Sequence, residues 1–305
     1  MTRRAAVDVG TNSVRLLVVD HDGTPLVREL EIVRLGRGVD RTGVLDDDRL
    51  ALALEVIERF RDTWRTHGVA DADARLGATS AVRDAADRDR FLDAVAALAP
   101  ELDVRVLSGD DEAVGAFRGV AAALPDLPRP LAVVDVGGGS TELVVGDLDD
   151  RVLAATSLQL GSVRLTERFL TEDPPSEAQV LAALTEVRAR VGEGLAALGP
   201  AVRDVASLVG VAGTVTTVAA LALRAGPWVD GRLHGRVVPA AEVVRWSHEL
   251  LVADRATIDA HPEVQDGRAD VLAGGAMVVR GVVDALRVGA LVVSESDGLD
   301  AMVLP

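Results

Sequence analysis

Two short segments have the residue types of a phosphate cradle. Residues 8–13 read DVGTNS and residues 135–140 read DVGGGS, and each lies between two apolar runs. Glycine allows main-chain N–H groups to turn toward a ligand. Gly10, Thr11, Asn12 and Ser13 in the first segment match Gly137, Gly138, Gly139 and Ser140 in the second. Phosphoryl oxygens are the natural guests. Asp8 and Asp135 precede the turns at strand ends, where they could hold a hard divalent cation such as Mg²⁺, directly or through water. A single Asp-Gly turn is most often an ordinary hairpin. Two matching ones point to two related halves.

Three further segments carry chemistry. SGDDEA at 108–113 starts a helix, where acids also serve the helix dipole. Glu112 has the longest reach of its three acids and is the candidate general base for activating water. ATSAVRDA at 78–85 leaves a strand and presents Arg83, whose guanidinium can fork onto phosphate oxygens. VGVAGTVTTVA at 209–219 reads as strand, glycine turn and helix start. Its Gly210, Gly213 and Thr214 offer N–H groups to a phosphate or a nucleotide. The five histidines are scattered and form no metal-protease motif, while Arg164 and Arg236 are weaker candidates for lining an anion site.

Absences narrow the chemistry. The chain has no Cys, Tyr or Lys. This excludes thiolate nucleophiles, iron–sulfur clusters, lysine Schiff bases and lysine-bearing phosphate loops. The net charge of −16 argues against a nucleic-acid coat or an anionic-membrane binder, either of which needs a broad basic surface. The N-terminus lacks a secretory apolar stretch and no run is long enough to span a membrane, so a cytoplasmic protein is expected.

These residues require strands that end at the turns and helices that start beside them. Strands are expected at 5–9, 14–20, 74–78, 103–107, 131–136, 142–146, 205–210 and 289–294, and long helices over 46–67 and 268–286. The fold class is α/β, with mixed sheets because each half opens on a hairpin. The proline-rich LPDLPRP at 124–130 suits a linker, dividing the chain into domains 1–126 and 127–305.

Taken together, DVGTNSVRLLVVD, GATSAVRDA, VLSGDDEA, DVGGGSTELVVG, LGSVRLTERF and GVAGTVTTVAAL resemble, in order and spacing, the exopolyphosphatase/guanosine pentaphosphate phosphohydrolase (Ppx/GppA) family in its short two-domain form. The resemblance implies two ribonuclease H-like domains of the actin-like ATPase superfamily, with the active site in the cleft between them. It implies Glu112 as activator of the catalytic water and Arg83 as phosphate clamp. The phosphate loops would be Thr11–Ser13 and Gly137–Ser140, with Asp135 and Glu142 as partners of a Mg²⁺ cofactor. The expected activity is hydrolysis of terminal phosphoanhydride bonds in inorganic polyphosphate, short chains preferred. The alternatives are removal of the 5′-terminal phosphate of guanosine pentaphosphate (pppGpp) and a nucleotide-binding actin-like sensor with weak hydrolysis. No nucleic acid or membrane partner is expected, and the oligomeric state is open, a homodimer included. Two positions depart from the family pattern: Asp111 stands for a usual Glu, and Asp300 for an Arg that many members carry.

Overall fold

A computed structural model describes residues 2–147 and 151–304. The chain divides into two compact units, Met1–Gly115 with Gly298–Pro305, and Ala116–Asp297.

In the first unit, β1 (Arg4–Val9), β2 (Ser13–Val19) and β3 (Pro25–Ile32) form an antiparallel meander. After α1 (Val39–Thr42) and α2 (Asp47–Thr66), β4 (Ala74–Ala78) pairs parallel with β1. Beyond α3 (Ser80–Asp84) and α4 (Asp89–Leu98), β5 (Asp103–Val106) pairs parallel with β4, giving the order β3-β2-β1-β4-β5. α2 forms because Leu50, Ala53, Val56, Ile57, Phe60 and Trp64 share one face, and it starts where the Asp46 side chain accepts from the Arg49 N–H. That face packs on the side of the sheet bearing Val7, Val9, Val14 and Leu16. Unpaired on one side, β3 is an edge strand with Leu26 and Leu30 exposed.

α5 (Gly109–Ala123) leads into the second unit. There β6 (Leu131–Val136), β7 (Thr141–Gly146) and β8 (Val152–Leu158) repeat the antiparallel meander. α6 (Ser162–Phe169) and α7 (Glu177–Leu198) follow, then β9 (Ser207–Val211), parallel to β6, and α8 (Ala212–Leu223). A short β10 (Val237–Pro239), α9 (Ala240–Val252), α10 (Arg255–Asp259) and α11 (Ala269–Leu286) lead to β11 (Ala290–Val293). The order is β10-β11-β9-β6-β7-β8, which contains the first unit's five-strand pattern plus one edge strand. α7, α8 and α11 contribute Val187, Val215 and Val279 to its core.

The division falls within α5, not in the proline-rich stretch. Phe117 and Val120 are fully buried, and the Phe117 ring lies so close to Gly146 that an added Cβ there would sit 2.0 Å away. Residues 298–305 return to the first unit as α12 (Gly298–Val303), whose Leu299 and Val303 cover Ala6, Leu17 and Val19 on the sheet face opposite α2. Asp300 on α12 pairs with Arg28 on β3, Oδ1 to Nη2 at 2.5 Å. The acid at 300 is thus paired with an arginine supplied by β3. No helix among the described residues is long and apolar enough to cross a membrane.

Candidate active site

The first cradle is the β1–β2 turn. The Gly10 N–H donates to the Ser13 carbonyl at 2.9 Å. Its carbonyls are tied back: Asn12 O accepts from the N–H of Val33 (3.0 Å) and Arg34 (2.8 Å), and Thr11 O accepts from Gly36 (2.8 Å). Arg34 takes a left-handed φ of 56° to make this contact, and a Cβ on Gly36 would lie 2.3 Å from Thr11 Cγ2. With the carbonyls held away, the N–H groups of Thr11 and Asn12 have no protein acceptor among the described residues. Asn12 Oδ1 is buried without a partner, and Thr11 Oγ1 is fixed by Ser80 Oγ at 2.9 Å.

The second cradle repeats the geometry with a different support. The Gly137 N–H donates to Ser140 O at 3.0 Å. The first N–H groups of α6 hold its carbonyls: Ser162 to Gly137 O (2.9 Å), and Val163 and Arg164 to Gly138 O (2.9 and 3.1 Å). Arg164 Nε adds a bond to Gly139 O at 2.7 Å. These contacts require Gly161, because a Cβ there would sit 2.4 Å from the Gly138 oxygen. The N–H groups of Gly138 and Gly139 have no protein acceptor among the described residues, and Ser140 is buried beside them.

Cross-strand register sets the charge beneath each cradle. Asp8 lies opposite Arg15, which donates to Oδ2 through Nε (2.9 Å) and Nη2 (2.6 Å). Asp135 lies opposite Glu142. Glu142 is 2% exposed and accepts from Ser157 Oγ at 2.7 Å. Directly opposed residues share a sheet face, and like charges there repel unless a cation lies between them. The second unit's donor set therefore fits a hard cation, whereas the first unit's acid already faces a guanidinium. No group of three or more His, Cys, Asp or Glu that could hold a metal occurs among the described residues.

The first unit also carries Glu112. α5 starts on a reciprocal cap: the Asp111 N–H donates to Ser108 Oγ (3.1 Å), and the Ser108 hydroxyl and N–H donate to Asp111 Oδ2 (2.6 and 3.3 Å). The shorter acid at 111 thus serves the helix, and Glu112 is left to bond Arg83 Nη1. The same Nη1 donates to Leu107 O at 2.9 Å, while Nη2 is buried with no partner. An orphaned buried donor costs about 1–3 kcal/mol, so this one fits an arriving oxygen.

In the third loop, Gly210 serves packing: a Cβ would lie 2.7 Å from Val215 Cγ1. Ala212 is held at φ 69°, and α8 begins without a side-chain cap, so its first N–H groups suit an anion. The guanidinium of Arg268 lies on Gly213, where an added Cβ would be 1.6 Å from Nη1. Thr214 is buried with Oγ1 against Gly275. Sequence reasoning missed Arg15 and Arg268. The hairpin register would have found Arg15, but nothing local links Arg268 to Gly213.

A mixed sheet that occurs twice, each copy opening on a glycine turn between antiparallel strands, defines an α/β class built of two related halves. The chain belongs to the Ppx/GppA phosphatase family, whose model matches residues 17–298. It is 38% identical to Exopolyphosphatase 2 of Mycobacterium tuberculosis over 100% of this chain and 98% of that protein. Among solved structures, an exopolyphosphatase-like protein is 32% identical with TM-score 0.93, covering 99% of this chain and 97% of the other. The Ppx/GppA family member of Aquifex aeolicus is 28% identical with TM-score 0.81, covering 99% and 96%.

Proposed function

We propose that the chain is an exopolyphosphatase that releases orthophosphate from the end of inorganic polyphosphate, with short chains preferred. The observation that carries this reading is the Arg83 guanidinium, which holds Glu112 at Nη1 and keeps Nη2 buried and without a partner. In this mechanism each cradle binds phosphoryl oxygens through its own N–H groups, Thr11 and Asn12 in the first and Gly138 and Gly139 in the second. Arg83 Nη2 takes an oxygen of the terminal phosphoryl group while Nη1 orients Glu112. Glu112 accepts a proton as water forms the new P–O bond and the bridging P–O bond breaks, its oxygen and electron pair leaving on the shortened chain. Asp135 and Glu142 would hold Mg²⁺, which when bound neutralises charge on phosphoryl oxygens. The Ala212–Thr214 turn with Arg268 is the proposed further anion contact.

The test is phosphate release from tripolyphosphate, long-chain polyphosphate and guanosine pentaphosphate by wild type and Glu112→Gln. The variant should lose about 10²–10⁴-fold in rate. A near wild-type rate overturns the role of Glu112, and faster release from guanosine pentaphosphate than from any polyphosphate overturns the substrate.

A further inference from the structure

The segment that braces the first cradle carries two more arginines. Gly36 bonds to Thr11 O, and the Arg37 N–H donates to Arg34 O at 3.0 Å, so the Arg37 backbone is fixed directly beside the cradle. Arg41 follows on α1, which packs on α3, the helix that carries Arg83. α1 itself is pinned: Val39 is 6% exposed, Gly43 N–H closes the helix on Val39 O at 2.8 Å, and Gly43 O accepts from Ala86 at 2.8 Å. Both guanidinium groups are on exposed residues, and neither has an ion-pair partner among the described residues. The acids on these helices are Asp40, on α1, and Asp84, which lies 3.8 Å from Arg83.

We propose that Arg37 and Arg41 form a binding track for the phosphoryl units that extend beyond the first cradle. The proposal rests on the polyphosphate reading above and names how that site would choose chain length. A chain of net charge −16 repels a polyanion at long range, so attraction must be local. Two cations on a pinned backbone supply it, so that binding need order only their side chains and not the segment that carries them.

The experiment measures binding of tripolyphosphate and long-chain polyphosphate by calorimetry, with phosphate-release KM alongside, for wild type, Arg37→Gln, Arg41→Gln and the double variant. Arg105→Gln, on edge strand β5, makes the same charge change away from the segment. The ratio of long-chain to tripolyphosphate Kd should rise about 3- to 10-fold in the double variant, and its salt dependence should flatten. No rise in the ratio, or an equal rise in Arg105→Gln, overturns the track. Wild-type failure to release phosphate from any polyphosphate instead overturns the activity, and the binding ratio still decides the track.

Discussion

The two cradles have the same backbone and opposite supports. In each, a glycine N–H closes on a serine carbonyl three residues on. The first is braced by an irregular segment containing Arg34 at φ 56°, and its acid faces Arg15. The second is braced by the start of a helix, and its acid faces another acid. Duplicated geometry therefore does not mean duplicated surroundings: the residue opposite the acid two positions before the turn is an arginine in one unit and a glutamate in the other.

The comparison can be broken at its supports. Gly161→Ala drives a methyl into the Gly138 carbonyl and should cost about 10²-fold in kcat, because an ångström of displacement is enough. Gly36→Ala meets the side chains of Thr11 and Ala81 but no backbone atom, and should cost less. The acids sharpen the contrast: Glu142→Gln should raise the Mg²⁺ concentration for half-maximal activity about 10-fold, more than Asp8→Asn does, as read from metal titrations.

Acid stability separates the first unit by another route. Burial pushes the Asp71 carboxyl up, but hydrogen bonds from Arg61, Arg65 and Trp64 outweigh it and hold the group at about 2. A depressed folded value means the stabilisation is complete above the ordinary 3.8 and is lost as pH falls toward 2. The loss should be about 2 kcal/mol. Trp64 bonds Asp71 Oδ1 at 3.2 Å, so its fluorescence in a Trp228→Phe, Trp246→Phe background should report the transition, and Asp71→Asn should abolish that pH dependence. The smallest effect concerns the third loop. Ala212→Gly relieves a left-handed alanine and should raise stability by about 1 kcal/mol in denaturant melts.

Legibility followed burial. Central strands such as β1 and β6 are continuous apolar runs ending at Asp-x-Gly, so both hairpins and the mixed sheets could be read directly. The third meander strands β3 and β8 were not read. Both are half-exposed, with PLVRELEI and VLAATSL lacking clean alternation. α7 starts after Ser176 without a side-chain cap, and Gln179 bonds Thr171 and Glu172. Within the site, turns and acids were visible because they are local. The Asp8–Arg15 pair, the Arg268 contact and the brace at 33–36 depend on which strands and loops become neighbours.

The return of α12 has a consequence for synthesis. Ala6, Leu17 and Val19 emerge early, yet the residues that cover them, Leu299 and Val303, are translated after the whole second unit. At about 5–20 residues per second, one face of the nascent sheet stays bare on the order of tens of seconds. The first unit therefore completes that face only after the second unit has been translated.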